Sequence, residues 1–198
     1  MANADTPRGL WPRRYLNGAP WNGQANRYYV PSTDSTAIYL GGLVKPAGSA
    51  DTRGVMSVTG NVSTGNAVVG VVVGVEPLGG AGGVGRDATI YRAASTERYL
   101  LVADDPNLLF AVQDDAAAVP TASIVGNAAD LTAFTSGSTT SGKSSIEISM
   151  ATVTASGDGT EDVIIVGLDD TPDNDIGNNA DWIVRLNNHF YVDASAGA

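Results

Sequence analysis

Short β-favouring runs, separated by clusters of glycine, asparagine, aspartate, serine and proline, fill the chain from Tyr28 onward. They recur roughly every ten to fifteen residues, a spacing typical of β-sandwiches and β-barrels. In the range 146–150, for example, three apolar residues alternate with Glu147 and Ser149. Period-two alternation indicates a strand with one buried face rather than a helix. The sequence therefore predicts an all-β fold, with a sandwich or barrel body of short antiparallel strands.

Nine segments have this β pattern, and one has the composition of a short helix. The predicted strands are residues 37–44, 55–59, 67–76, 88–93, 98–103, 108–113, 145–153, 162–168 and 181–192. The predicted helix is residues 123–131, which follow Pro120. The β-rich body is expected to span residues 31–198, and a weak change of composition near 94–105 would divide it into two small β units.

The first thirty residues have a different composition and are expected to form an extended arm. Prolines at positions 7, 12 and 20 disfavour a helix, and the dipeptides Asn17-Gly18 and Asn22-Gly23 favour turns. The segment 1–30 carries four arginines against Asp5 alone, and it holds five of the 13 aromatic residues. Arginine, tryptophan and tyrosine are the residue types that dominate protein–protein hot spots.

We therefore expect this segment to bind another protein. The candidate contact residues are Arg8, Trp11, Arg13, Arg14, Tyr15, Trp21 and Arg27. The alternative is that these aromatic side chains pack on the protein's own core, with arginine stems covering them. If the segment is a separable arm, deleting residues 1–27 should leave a folded body that no longer binds its partner.

Charge and composition exclude several classes of function. Residues 1–99 carry nine Lys/Arg against six Asp/Glu, whereas residues 100–198 carry two against fifteen, for a net charge of −10. So acidic a body disfavours nucleic-acid binding. The chain has no cysteine and a single histidine, His189, which excludes thiol chemistry and multi-histidine metal sites. The longest apolar run, 67–75, is too short for a membrane helix, and the N-terminus does not resemble a signal peptide.

Two glycine-rich segments match nucleotide-binding patterns but have unsuitable flanks. Residues 137–144 read GSTTSGKS, which fits the P-loop pattern GxxxxGK[ST]. A P-loop must follow a buried strand and begin a helix, yet the residues after Ser144 alternate with period two. Residues 80–85 fit GxGxxG, but a strand is predicted after them as well. We interpret both segments as loops and expect no nucleotide cofactor.

Acidic clusters and the one histidine are the remaining candidates for chemistry. Residues 169–175 concentrate oxygen ligands as calcium loops do, but the spacing of an EF-hand fails, which favours a solvated turn. Asp104-Asp105 and Asp114-Asp115 are adjacent pairs, whose members point to opposite faces of a strand. His189 lies in a strand-like stretch and is interpreted as a packing residue. We therefore expect no catalytic, metal or cofactor site, and no enzymatic activity.

Three stretches together resemble the small capsid decoration (cement) proteins of tailed bacteriophages. The first is residues 1–10, continuing into 17–21 and 28–31; the second is the Gly/Ser/Thr-rich loop and strand of 135–148; the third is PDNDIG at 172–177 with WIVRLNNH at 182–189. They cover about a third of the chain. None is a catalytic signature, and the second and third include the P-loop-like string and His189.

The resemblance implies a virion structural protein that binds the outer surface of a phage capsid and stabilises the shell. It implies the major capsid protein as partner, self-association as a homodimer or homotrimer at a symmetry axis, and a location on the capsid surface after assembly in the host cytoplasm. No direct nucleic-acid or membrane contact is expected. The alternative is a receptor- or carbohydrate-binding β module of a phage tail or fibre.

Overall fold

The computed structural model describes residues 3–77, 89–155 and 159–192. Within these ranges the chain forms twelve strands and two short 3-10 turns, and α-helix is absent. The all-β prediction is therefore confirmed. In the same ranges no helix has the length and apolarity that crossing a membrane requires.

The strands are numbered in chain order. They are β1 (Trp11–Tyr15), β2 (Asn26–Val30), β3 (Leu43–Ala50), β4 (Met56–Thr59), β5 (Gly70–Glu76), β6 (Arg98–Ala103), β7 (Leu108–Gln113), β8 (Ala128–Ala129), β9 (Leu131–Thr132), β10 (Glu147–Ile148), β11 (Val163–Leu168) and β12 (Asp181–Leu186). The 3-10 turns are Ala122–Ile124 and Met150–Thr152. The sequence predicts β6 and β7 to the residue, because both are short apolar runs with polar residues at their ends.

Five strands close into a barrel in the order β2-β4-β3-β5-β6. Every pairing in it is antiparallel except the short parallel contact of β2 with β4. Its interior is mostly valine: Tyr28, Val30, Ile38, Val44, Val58, Val69, Val72, Leu100 and Val102 form one buried cluster. The β-branched side chains suit a small barrel because they pack well against a pleated surface.

The other large element is an antiparallel sheet of five strands in the order β1-β7-β12-β11-β8. One face packs Phe110 and Trp182 into the larger core, which also includes Leu43 and Val71 from barrel strands. The barrel and the sheet are therefore joined by a shared apolar core. The chain passes from β6 of the barrel to β7 of the sheet at residues 104–107.

The segment predicted as an extended arm lies within both sheets. β1 pairs with β7 at one edge of the five-stranded sheet, and β2 pairs with β6 in the barrel. Leu10 is fully buried in the larger core. Gly9 adopts a positive φ, and a Cβ there would overlap the carbonyl oxygen of Gly41, which accepts a hydrogen bond from the amide of Leu10. The first thirty residues therefore contribute one strand to the five-stranded sheet and one to the barrel.

The predicted helix at 123–131 is wrong. Only Ala122–Ile124 form a 3-10 turn, after which the chain continues as β8 and β9. The backbone of Ala128 exchanges two hydrogen bonds with Thr154, and β8 also pairs with β11. These partners lie far along the chain, so local composition does not reveal them.

Four other predicted strands also differ from the structure. Only Leu43 and Val44 of the predicted strand 37–44 belong to β3, and within 89–93 Arg92 forms only an isolated bridge with Ile38. A 3-10 turn follows β10, and β12 ends at Leu186.

Two buried charged side chains hold loops by hydrogen bonds to the backbone. The guanidinium of Arg92, fully buried, donates to four carbonyl oxygens of two loops. The acceptors are Pro31, Asp34, Thr36 and Thr96. The carboxylate of Asp114, also fully buried, accepts from three backbone amides and one indole. The donors are Ala116, Asn179, Ala180 and Nε1 of Trp182, at 2.9–3.1 Å.

Candidate functional site

Three of the four N-terminal arginines form ion pairs within the protein. Nη2 of Arg8 lies 2.7 Å from Oδ2 of Asp181, and Arg13 pairs with Asp169. Nε of Arg27 lies 2.7 Å from Oε2 of Glu76. The same guanidinium lies 3.5 Å from the ring centre of Tyr99. These three side chains therefore contribute to the protein's own structure, whatever else they contact.

The aromatic candidates are partly buried, and each makes a hydrogen bond. Nε1 of Trp11 donates to the carbonyl of Arg8 at 3.1 Å, and Nε1 of Trp21 donates to the carbonyl of Gln24 at 3.0 Å. The hydroxyl of Tyr15 donates to Oε1 of Gln24 at 3.2 Å. The rings of Tyr15 and Trp21 pack against the larger core. These two rings therefore pack on the protein's own core, which is the alternative to binding another protein.

A small cationic patch remains, formed by Trp11, Arg14 and Lys143. In the register of β1 and β7, Trp11 lies opposite Ala111 and Arg14 opposite Leu109, so both side chains lie on the sheet face opposite the larger core. Nζ of Lys143 lies 5.8 Å from the ring centre of Trp11. Among the described residues, no carboxylate lies within ion-pair distance of Arg14 or Lys143. The patch therefore combines a partly exposed indole with two cations that have no carboxylate partner in the described ranges.

The P-loop-like string is a tight turn. Gly137 pairs with Ser144 as in an antiparallel hairpin, and the amides of Ser138 and Gly142 donate to carbonyls within the same segment. Residues 145–148 continue as extended chain and β10. Because these amides are used inside the turn and no helix begins after it, the segment lacks the phosphate cradle of a P-loop. The GxGxxG match at 80–85 lies outside the described residues.

The acidic stretch 169–175 does not gather its carboxylates at one point. Asp169 pairs with Arg13, and its carbonyl accepts from the side-chain amide of Asn174. Asp173 has a positive φ, as in a turn. Among the residues that the structure describes, no group of three or more His, Asp or Glu side chains is arranged to hold a metal ion. The buried His189 accepts at Nδ1 from the amide of Tyr191, at 3.3 Å.

A groove lined by polar and aromatic side chains lies at the junction of the barrel and the sheet. It consists of adjoining cavities of about 590, 380 and 380 Å³, which share Asp105 in their walls. We call it the tyrosine groove. Its walls contain Tyr15, Gln24, Asn26, Arg27, Tyr28, Asp104, Asp105 and Tyr191.

Hydrogen bonds fix the inner wall of the tyrosine groove. The carboxylate of Asp104 accepts from Nδ2 of Asn26 at 2.9 and 3.0 Å and from the hydroxyl of Tyr28. The hydroxyls of Tyr28 and Tyr191 lie 2.7 Å apart. Burial and these hydrogen bonds hold the pKa of Tyr28 far above its usual range, so the phenol keeps its proton.

A second acidic group has an altered pKa. Burial raises the pKa of Glu147 to about 7, and the negative charges of three other carboxylates add to the shift. They belong to Asp5, Asp115 and Asp114. Between about pH 4.5 and 7 the folded protein holds a proton that the unfolded chain releases, so stability decreases as the pH rises through this window.

Replacing Glu147 with glutamine should therefore stabilise the protein at pH 8 but not at pH 4. After allowance for solvent screening, the gain at pH 8 should be about 1–2 kcal/mol. For a chain of this size, each kcal/mol raises the melting temperature by about 2–4 °C. Thermal unfolding of both proteins at the two pH values measures it. An equal difference at pH 4 and pH 8 would contradict the assignment.

The sequence analysis missed the tyrosine groove because its members are far apart along the chain. Tyr28, Asp104 and Tyr191 come from three segments. The sequence marks Asp104-Asp105 only as an adjacent acidic pair, and Tyr15 and Arg27 only as contact candidates of the first thirty residues. Adjacent residues of a strand point to opposite faces of the sheet. Asp104 and Asp105 lie in the connection between β6 and β7 instead, and both line the groove. The chain matches no protein-family model, no curated protein and no solved structure.

Proposed function

We propose that the protein is a non-catalytic virion component that binds the outer surface of a phage capsid and stabilises the shell. The observation that carries the proposal is the cationic patch of Trp11, Arg14 and Lys143. On a chain of net charge −10, it presents two cations without carboxylate partners in the described structure. Arginine and tryptophan are the residue types most often found at the centre of protein interfaces.

The proposed partner is the major capsid protein, contacted at an acidic surface of the assembled shell. Complementary charge would steer the docking, and the strongly acidic second half of the chain would face solvent. Copies that associate as dimers or trimers at a symmetry axis would add avidity to each weak contact. The particle would be completed in the host cytoplasm, and the protein would remain on the capsid surface.

Reversing the charge of Arg14 should weaken shell binding at least tenfold. Arg14 is exposed and lies at the edge of the sheet, so Arg14→Glu should leave the fold intact while repelling an acidic partner. The measurement is co-sedimentation with shells assembled from the proposed partner, the major capsid protein, before and after the shells expand. The control is Tyr191→Ala, which changes the tyrosine groove instead and should bind like the native protein.

Two results would overturn the proposal. One is the absence of saturable binding of the native protein to either form of shell. The other is binding of Arg14→Glu with the affinity of the native protein, because the cationic patch would then have no part in the contact.

A further inference from the structure

We propose that the tyrosine groove binds a neutral oligosaccharide. The groove is open, with three adjoining cavities instead of one closed pocket. That shape suits an extended chain of similar units better than a compact metabolite. The inference is independent of capsid binding, because the groove and the cationic patch have no residue in common.

The inner wall supplies acceptors at fixed positions. The carboxylate of Asp104 is held by Asn26 and Tyr28, which fixes the direction of its remaining lone pairs. Asp105 is exposed beside it, and its Oδ1 accepts from the amide of Asn107 at 2.7 Å. Saccharide hydroxyls can donate to such fixed carboxylates and need no charge of their own. Because the acceptors are already positioned, binding immobilises few further side chains and loses little conformational entropy.

The aromatic side chains supply the apolar part of the contact. Tyr191 is half exposed at one end of the groove, and Tyr15 lines the middle and the far end. A tyrosine ring offers a flat apolar face, and its hydroxyl can hydrogen-bond, so one residue matches both the C–H face and the hydroxyls of a sugar ring. Tyr191 already contacts the ring of Phe190 and the hydroxyl of Tyr28, which limits its freedom.

Charges in the wall favour a neutral ligand over an ionic one. An anionic ligand would meet the carboxylates of Asp104 and Asp105. Arg27 lies in the same wall; its Nε–H donates to Glu76, and its Nη groups make no hydrogen bond within the described part of the chain. A neutral polyol can donate to the carboxylates and accept from this guanidinium. An anion only accepts hydrogen bonds and a lysine ammonium only donates them, so a polyol, which does both, matches this wall better than either.

The test is binding of the full-length protein to an array of neutral and acidic oligosaccharides, with an oligolysine peptide as a second probe. Native protein should bind one or more neutral oligosaccharides and neither the acidic ones nor oligolysine. Affinity for the best neutral oligosaccharide, measured by titration calorimetry, should fall at least tenfold in Tyr191→Ala and in Asp105→Asn. Tyr191→Phe should bind more tightly than Tyr191→Ala, because it keeps the ring.

The matched control is Asp170→Asn, which removes an equal charge at an exposed position outside the groove walls. It should bind like the native protein. Thermal unfolding of each variant shows that a loss of affinity is not a loss of fold. Binding to oligolysine alone, no binding to any oligosaccharide, or equal affinity in native and groove variants would each overturn the proposal. None of these results depends on shells, so they are distinct from a failure of capsid binding.

Discussion

A protein lacking residues 1–27 should fail to fold. The deletion removes β1, the first two residues of β2 and the fully buried side chain of Leu10. It also removes Arg13 and Arg8, the ion-pair partners of Asp169 and Asp181, and it exposes the edge of β7 with which β1 pairs. Losing one buried leucine side chain costs about 2–5 kcal/mol, and the whole free energy of unfolding of a domain is about 5–15 kcal/mol. The separable-arm interpretation predicts the opposite, a folded body.

Far-UV circular dichroism and chemical denaturation of the truncated protein measure this result. A matched pair of leucine variants tests the cause. Leu10→Ala should destabilise the protein by about 2–5 kcal/mol. Leu16→Ala, at a position that is 54% exposed, should change stability by no more than about 0.5 kcal/mol. A soluble truncated protein that unfolds cooperatively would contradict the prediction and restore the separable arm.

Replacing Arg92 with alanine should cost about 4–5 kcal/mol of stability. The change leaves buried carbonyls of two loops without a donor and opens a cavity where the guanidinium lay. It also leaves Asp34, whose Oδ1 lies 3.6 Å from Nη1 of Arg92, without its buried partner. Burial lowers the pKa of Arg92, which shows that charge at this position is unfavourable without those contacts.

Urea unfolding followed by tryptophan fluorescence measures the effect. The control is Arg53→Ala, since Arg53 is exposed and its side chain should contribute no more than about 0.5 kcal/mol. Arg92→Lys keeps a charge but cannot reach all the acceptors, so it should be destabilised as well. A loss below about 1 kcal/mol in Arg92→Ala would show that water replaces the guanidinium at little cost.

The sequence predicted the fold class and the central strands because these depend on local pattern. β6 and β7 are contiguous apolar runs, and their bounds follow from the polar residues beside them. β1 and β2 contain proline, arginine and asparagine, so their composition resembles a loop. They become strands because β7 and β6 offer hydrogen-bonding edges. The partner strands are more than 60 residues away along the chain, so local sequence patterns do not reveal the pairing.

The candidate site shows the same limit. Composition identified the arginines and aromatic residues of the first thirty positions as chemically distinctive. It could not show that Arg8, Arg13 and Arg27 have acidic partners elsewhere in the protein, because each pair is formed by the tertiary fold. Of the candidate contact residues, Trp11 and Arg14 stay available to a binding partner. Lys143, from the turn that matches the P-loop pattern, lies beside Trp11.

The contacts of residues 3–13 also determine when folding can be completed during synthesis. Side chains of Asn3, Arg8 and Arg13 bond to residues 156–175 positions further along the chain. At about 5–20 residues per second, those partners emerge from the ribosome roughly 10–30 s later. Until then Leu10 lacks part of the core that it enters, which includes Trp182 and Val184 of β12. Residues 3–13 are thus made early and are among the last to be ordered, and the nascent chain is most prone to aggregation until β11 and β12 have been made.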